Sequence, residues 1–281
     1  MATFQHRIKA LEKELTNSDR KIWGVLAENE KPFLLSMNEL SKLSGVSEPS
    51  VVRFYRKLGY TSYQELKVAL AQEMSADNEA SSIYEQISMT DTAEEVFEKV
   101  LDQTIAAFQT TKHMINYKAL HRVGEIMAEA KRLYFFGQGV SGIIASDAAH
   151  KFLRLGMNAI VMTDLHMEAI AASHMNAGDV IFAVSHSGET IGLLNVLQQA
   201  KEKGVRIIVI TGFAKSSIAH VAEELLVTSS NETDYRSDAM ISRIVQLAII
   251  DSLYVISVLR KGKAGIDAVN ASRLAVAKLK T

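Results

Sequence analysis

Residues 180–190, Val-Ile-Phe-Ala-Val-Ser-His-Ser-Gly-Glu-Thr, join an apolar run of strand length to a turn rich in hydroxyl groups. A helical pattern follows from Ile191 to Lys203. A helix that begins just after a strand directs backbone N–H groups and the positive end of its dipole outward, which suits a bound phosphate. Capping of the helix by serine and threonine explains the same residues without a ligand. The stretch therefore predicts a strand, a turn and a helix, and it leaves two interpretations of the turn.

Short apolar runs alternate with helical patterns on both sides of this stretch, from about Ala119 onward. Five runs have the length of strands: Leu133–Phe136, Ala159–Met162, Val180–Val184, Arg206–Ile210 and Glu224–Val227. Strands separated by helices of this length are typical of βαβ units, whose strands pair in parallel. We therefore expect an α/β domain with a parallel sheet flanked by helices, in a flavodoxin-like three-layer arrangement.

A glycine-rich turn follows the first of these predicted strands. Its sequence, Gly-Gln-Gly-Val-Ser-Gly at 137–142, satisfies the G-x-G-x-x-G pattern between a strand and a helix. Asp164 ends the next strand, where a dinucleotide-binding fold holds a ribose. A nicotinamide- or flavin-binding domain is therefore one interpretation, but it assigns no role to the turn at 185–190.

Two such turns at the carboxyl ends of strands in one sheet also suit a small phosphorylated ligand. Open parallel sheets bind ligands in a crevice at that edge. Ser185, Ser187 and Thr190 would hold the phosphate. The glycine-rich turn, through Gly139 and Ser141, would contact the hydroxyl groups.

The first 76 residues carry helical patterns throughout. Ser36-Met-Asn-Glu39 is a capping box that opens a helix over Met37–Leu43, and Gly45 suits the end of that helix. Pro49 lies in the first turn of a second helix that reaches about Leu58. Helix, short turn and helix are typical of the motif that inserts its second helix into the DNA major groove. An αα-hairpin with a solvated basic face is the structural alternative.

The second of these helices has an apolar face and a basic face. Its basic face carries Ser50, Arg53, Arg56 and Lys57. Ser50 and Arg53 lie in the N-terminal turns that meet base edges, and Arg56 and Lys57 are better placed for phosphates. The segment from Lys42 to Lys67 holds five basic residues (Lys42, Arg53, Arg56, Lys57, Lys67) against two acidic ones (Glu48, Glu65). We expect it to bind double-stranded operator DNA as a dimer, because one such module binds weakly.

Composition sets the wider limits. A chain of 281 residues predicts two domains, and 48% hydrophobic with 22% charged residues indicates a globular protein. The sequence contains no run of about 18 apolar residues, so it predicts no membrane span. We also find no apolar signal segment in its first residues. The absence of cysteine excludes disulfides and thiolate metal sites and fits the cytoplasm. We expect no metal and no cofactor.

The order of these features resembles the RpiR family of bacterial transcriptional regulators, over nearly the whole chain. Four phrases carry the resemblance: Val-Ser-Glu-Pro-Ser-Val-Val-Arg-Phe at 46–54, Phe-Gly-Gln-Gly-Val-Ser at 136–141, Val-Ser-His-Ser-Gly-Glu-Thr at 184–190 and Ser-Arg-Ile-Val-Gln-Leu at 242–247. The resemblance implies a helix-turn-helix domain over 1–76, a linker over 77–91 and a SIS (sugar isomerase) domain with a lead-in helix over 92–281. It also implies a homodimer or dimer of dimers that controls sugar-catabolism genes.

The resemblance further implies that the SIS half binds a sugar phosphate and has no catalytic residues. An N-acetylhexosamine 6-phosphate is the leading candidate. By the family pattern the ligand contacts are Ser141, Ser185, Ser187 and Thr190. His166 and Glu168 lie close enough in sequence to line the crevice, although a surface or structural histidine is the preferred explanation of His166. Glu232, Arg236 and Arg243 would reach the ligand or a partner subunit, or form surface ion pairs.

Two alternatives remain open at this point. A sugar-phosphate isomerase would use both turns, and it needs a base, for which His166, Glu168, His186 and Glu189 are candidates. It leaves the N-terminal helices without a role. A dinucleotide-binding protein would use only the turn at 137–142 and Asp164.

Overall fold

A computed structural model describes residues 4–11, 14–29, 32–76, 87, 90–229 and 240–279. The chain divides into two compact units, and the division falls between Val100 and Leu101.

The first unit is helical. Its helices are α1 (Phe4–Ala10), α2 (Asn17–Glu28), α3 (Met37–Ser44), α4 (Glu48–Lys57) and α5 (Tyr63–Ala76), with a 3-10 turn at Pro32–Leu34. A sixth helix, α6 (Ala93–Met114), crosses the division between the units. The core of the first unit contains fully buried side chains from α2, α3, α4 and α5: Ile22, Leu40, Phe54 and Leu66.

The predicted capping box at the start of α3 is confirmed. The Glu39 N–H donates to Ser36 Oγ, and the Ser36 N–H donates to the Glu39 carboxylate. Gly45 ends the helix in the left-handed conformation at φ 62°, where its N–H donates to the carbonyls of Ser41 and Lys42. Glycine adopts this conformation without strain, which allows α4 to begin after a short turn.

The second unit is a parallel α/β sandwich. Its elements are α7 (Tyr117–Glu129), β1 (Arg132–Phe136), α8 (Val140–Leu153), β2 (Ala159–Met162), α9 (Leu165–Ser173), β3 (Asp179–Val184), α10 (Ile191–Glu202), β4 (Arg206–Thr211), a 3-10 turn (Ala219–Val221), β5 (Glu224–Val227), α11 (Met240–Lys261) and α12 (Lys263–Ala277). The five predicted strands and the three-layer fold class are confirmed.

The strands pair in the order β2-β1-β3-β4-β5, and every pair is parallel. One face of the sheet packs against α7, α8, α11 and α12, through side chains such as Phe135, Phe182 and Leu253. The other face packs against α9 and α10, through side chains such as Phe136 and Leu197. β3 is buried along its whole length because helices cover it on both faces, which explains its unbroken apolar run.

The helix α11 is long and apolar enough to cross a membrane by length and composition. In the structure it packs against α7, α8 and α12. Its buried side chains Ile249, Ile250 and Leu253 belong to the core of the α/β unit. The apolar composition of α11 therefore has an explanation within the folded protein.

Candidate functional site

The two turns singled out in the sequence leave neighbouring strands at the same edge of the sheet. Phe136, the last residue of β1, pairs with Ala183 of β3, so the chain leaves both strands at nearly the same level. The connection from β1 runs to β2 on one side, and the connection from β3 runs to β4 on the other. The strand order therefore reverses between β1 and β3, and open α/β sheets form their ligand crevice at this point.

The glycine-rich turn is packed backbone against backbone. A Cβ on Gly137 would lie 2.7 Å from the Ser141 carbonyl oxygen, and one on Gly142 would lie 2.8 Å from the Gly137 carbonyl oxygen. Gly139 is the N-cap of α8 and has φ 57°. The three glycines are therefore explained by a tight strand-to-helix turn, with or without a nucleotide.

Asp164 is a helix cap in this structure. Its Oδ1 accepts from the backbone N–H groups of His166 and Met167, both at 3.1 Å, at the start of α9. This capping is the ordinary role of aspartate at a helix start. The candidate ligand residue His166 lies in the same first turn and is exposed.

Glu168 is a buried carboxyl group directly behind the glycine-rich turn. Its side chain is on α9 and has no exposed surface. Its Oε1 accepts from the Gly137 N–H at 3.2 Å, and both carboxylate oxygens lie 2.7 Å from Gln138 Nε2. Burial raises the pKa of Glu168 from 4.5 to about 7, although the hydrogen bonds from Gly137 and Gln138 oppose the rise. Sequence reasoning placed Glu168 at the crevice but missed Gln138, which no local pattern connects to α9.

Some polar groups of the turn at 185–190 form hydrogen bonds within the turn. Ser185 is buried, its N–H donates to the Ile210 carbonyl, and its Oγ accepts from the Gly188 N–H at 3.2 Å. Ser187 is half-buried, and its Oγ accepts from the Glu189 N–H at 3.3 Å. Thr190 is the N-cap of α10, and its side chain makes no capping hydrogen bond within the described chain.

A loop after β4 holds this turn in place. Both Glu189 carboxylate oxygens accept from Ser217, one from its N–H at 3.0 Å and the other from its hydroxyl at 2.7 Å. The Gly188 carbonyl accepts from the Ile218 N–H at 2.9 Å. Sequence reasoning missed Ser217, because nothing local relates it to the turn. The carboxylate of Glu189 is thus engaged in a structural contact.

The remaining predicted ligand residues differ in position. Ser141 is half-buried in the first turn of α8. Arg243 is half-buried on α11. Glu232 and Arg236 lie outside the described residues. His186, one of the candidate bases, stacks its ring edgewise against Phe213, with 5.7 Å between ring centroids.

The apolar face of α4 is buried as the sequence predicts, and part of its predicted basic face is exposed. Val51, Phe54, Tyr55 and Leu58 are buried in the core of the first unit. Arg53 and Arg56 are exposed, and Ser50 is half-buried. Arg53 Nη2 donates to Ser50 Oγ at 2.9 Å, so these two side chains form a polar group near the start of the helix.

Lys57, in contrast, is held within the first unit. Its Nζ lies 3.0 Å from Asp19 Oδ2 and also donates to the Glu14 carbonyl. Burial favours a raised pKa at Asp19, but hydrogen bonds from Thr16 and Lys57 outweigh it, so the pKa of Asp19 lies below 3.8. Asp19 also completes the capping box of α2 with Thr16. Lys57 therefore links α4 to α2.

Comparisons with known proteins identify two domains in the chain. Residues 3–77 match the family described as "Helix-turn-helix domain, rpiR family", and residues 126–256 match the SIS domain. A helix-turn-helix region joined to a SIS domain defines a DNA-binding transcriptional regulator. The chain belongs to the RpiR family of such regulators.

Two relatives and one solved structure extend the comparison. An uncharacterized HTH-type transcriptional regulator of Thermotoga maritima is 38% identical over 276 residues, which are 98% of this chain and 98% of that protein. The HTH-type regulator YbbH of Bacillus subtilis is 34% identical over 250 residues, 88% of each chain. The Vibrio vulnificus NanR protein complexed with ManNAc-6P has the same fold, with a TM-score of 0.82, 24% identity and coverage of 99% of this chain and 100% of that one.

Proposed function

We propose that this regulator senses a phosphorylated sugar, specifically an N-acetylhexosamine 6-phosphate, and thereby controls genes for sugar catabolism. The observation that carries the proposal is the position of the turns at 137–142 and 185–190, which leave β1 and β3 at the same level beside the reversal of strand order. The structurally similar NanR of Vibrio vulnificus, complexed with ManNAc-6P, supports this choice of ligand class. In this proposal the protein binds its ligand without transforming it.

The phosphate group is assigned to the start of α10. This helix spans Ile191–Glu202 and follows the turn, and Thr190 is its N-cap. Ser187 and Thr190 are half-buried residues near the start of this helix, where its dipole favours an anion. Ser185 contributes through the geometry of the turn, because its hydroxyl accepts from the Gly188 N–H.

A ligand-binding experiment tests this assignment. Thermal unfolding is measured with N-acetylmannosamine 6-phosphate, N-acetylglucosamine 6-phosphate, inorganic phosphate and NAD. A sugar phosphate at 100 times its Kd raises the free energy of unfolding by about 2.7 kcal/mol. The S187A/T190A variant loses this increase, whereas S252A, which removes an exposed hydroxyl on α11, keeps it. Stabilisation by NAD but by no sugar phosphate contradicts the proposal.

A sugar-phosphate isomerase is a second candidate, and one observation favours it. Glu168 is a buried carboxyl group at the crevice with a pKa of about 7, a value suited to proton transfer. Incubation of the protein with each hexosamine 6-phosphate, followed by NMR of the sugar, separates the two candidates. Turnover that disappears in E168Q would establish the enzyme; an unchanged sugar that still stabilises the protein supports the sensor.

The DNA-binding surface is assigned to α4 of each subunit in a dimer. Arg53 and Arg56 are exposed on this helix, opposite its buried face. A lost phosphate contact lowers the slope of log affinity against log salt by about 0.9. R56A therefore weakens operator binding and flattens the salt dependence, whereas R53A weakens operator binding and lowers the preference for operator over unrelated DNA. R273A, at an exposed arginine on α12, does none of these. If both variants bind DNA as the wild type does, α4 is not the DNA-contacting helix.

A further inference from the structure

The hydrogen-bonded pair of Gln138 and the buried Glu168 determines which hydrogen-bonding group the glycine-rich turn presents to a ligand. Gln138 is half-buried and is the second residue after β1, at the point where the strand order reverses. Its carboxamide nitrogen is the end of the side chain that meets Glu168. Above its pKa of about 7 Glu168 is ionised and only accepts hydrogen bonds, so it selects the NH₂ end of the amide. The carboxamide oxygen then lies on the other arm of the planar group, away from Glu168.

We propose that Gln138 is a specificity-determining residue that presents its carboxamide oxygen to the ligand, and that Glu168 is the positioning residue that fixes this orientation. The inference rests on the proposed sugar-phosphate site. It names the ligand chemistry that the turn selects, which is a hydrogen-bond donor such as a sugar hydroxyl or an amide N–H. A carbonyl, carboxylate or phosphate oxygen of a ligand at this place would meet the Gln138 carboxamide oxygen. Both atoms are acceptors, so they form no hydrogen bond.

The same pair orients the ligand in the crevice. The Gly137 N–H donates a hydrogen bond to Glu168 at 3.2 Å, so this N–H does not point to a bound anion. Above its pKa of about 7, the ionised Glu168 behind the turn also repels negative charge, and Asp164 is near enough to raise that pKa further. The turn at 185–190 supplies hydroxyl groups and a helix start instead. The phosphate is therefore directed to 185–190, and the sugar to 137–142.

This polarity also separates the turn from a dinucleotide site. A pyrophosphate is bound by the backbone N–H groups of a glycine-rich turn and the helix that follows it. Here the first of those N–H groups is bonded to a buried carboxylate. The G-x-G-x-x-G pattern is present, but the charge behind it has the wrong sign for a pyrophosphate.

Binding measurements with two variants test the inference. Isothermal titration at about pH 8, where Glu168 is ionised, is applied to the wild type, Q138L and E168Q. The ligands are N-acetylmannosamine 6-phosphate, N-acetylglucosamine 6-phosphate and inorganic phosphate. Loss of one neutral hydrogen bond corresponds to about a fivefold rise in Kd. Q138L therefore raises the Kd of the sugar phosphate that binds by about fivefold and leaves the Kd of inorganic phosphate unchanged. Q198L, at an exposed glutamine on α10, is the matched control.

The positioning role of Glu168 is tested by combining its substitution with that of Gln138. In E168Q the new amide can donate, so Gln138 can turn its oxygen inward and its nitrogen toward the ligand. E168Q then raises the Kd of the sugar phosphate in the wild-type background but adds no further rise in the Q138L background. Additive effects of the two substitutions would mean that Glu168 does not act through Gln138, and they would overturn its positioning role.

The outcomes distinguish this inference from the proposed function. If the wild type binds none of the sugar phosphates, the proposed function fails. If it binds one and Q138L binds it equally well, the function stands and the inference is wrong. Should Q138L fail to fold, Q138A replaces it, and a crystal structure of the wild type with the bound sugar phosphate decides directly. A Gln138 nitrogen directed at the ligand, or Gln138 remote from it, would overturn the inference.

Discussion

At Gly188 the backbone has φ +66°, and a Cβ there would lie 2.0 Å from Ser216 Oγ. Both features require glycine, because other residues are strained at this φ and the neighbouring loop leaves no space. We expect G188A to lower the free energy of unfolding by about 1–3 kcal/mol, measured by urea denaturation. It should also weaken sugar-phosphate binding, since Gly188 lies between the two serines and Thr190.

Gly156 provides the control for this prediction. Its φ is +68°, but a Cβ there has nothing within 4 Å. G156A carries the cost of conformation alone and leaves the ligand site intact. Equal destabilisation by both substitutions would show that contact with Ser216 is unimportant.

Glu168 makes stability depend on pH in a direction opposite to that of most carboxyl groups. Its pKa is raised from 4.5 to about 7, so the folded state holds the proton more tightly than the unfolded state. The stability that this group contributes is complete below pH 4.5 and is lost as the pH rises to 7. The difference in unfolding free energy between the wild type and E168Q should fall by about 3 kcal/mol across this window. Denaturation at several pH values measures it, and a constant difference would contradict the raised pKa.

At the scale of the element, α4 carries two kinds of basic residue. Lys57 is paired with Asp19 of α2, with 29% of its side chain exposed, whereas Arg56 is exposed on the same helix. We expect K57A to cost up to about 1 kcal/mol of stability as well as any DNA affinity it supplies. R56A should cost DNA affinity alone. Thermal unfolding and operator binding of the two variants check the difference, and equal melting temperatures would refute the structural role of Lys57.

The elements themselves were predictable to different extents. Apolar runs and turn residues located all five strands and the helix-turn-helix, because alternation, capping and glycine are local signals. The order of the strands was expected only from fold class, since pairing between β1 and β3 joins distant segments. The pairs Lys57–Asp19 and Gln138–Glu168 were missed for the same reason. The two turns of the candidate site were predicted because they are local in sequence, whereas the contacts of the side chains packed behind them were not.

At the scale of the whole molecule, the proposed regulation requires the ligand and the DNA to influence each other. A sugar phosphate that binds one arrangement of the dimer more tightly shifts the protein toward it, and equal affinity for both shifts nothing. We expect the sugar phosphate to change operator affinity by roughly 5- to 150-fold. By linkage, operator DNA must change sugar-phosphate affinity by the same factor. Titrations of each partner with and without the other measure both factors, and an unchanged affinity would contradict the coupling.

The oligomeric state and the domain boundaries belong to the same proposal. We propose a homodimer or dimer of dimers, in which each subunit contributes a DNA-binding domain over 1–76, a linker over 77–91 and a SIS domain over 92–281. Analytical ultracentrifugation with and without operator DNA tests the assembly. A monomer at the concentrations that saturate DNA would exclude it.

The position of α11 in the chain has a consequence for biosynthesis. One face of the sheet needs Ile249, Ile250 and Leu253 of this helix to complete its core, yet all five strands precede it in sequence. While the ribosome is still translating residue 240, the strands have been made but that face is incompletely covered. A nascent chain that has released these strands but not yet α11 therefore exposes apolar surface, which makes folding intermediates prone to aggregation.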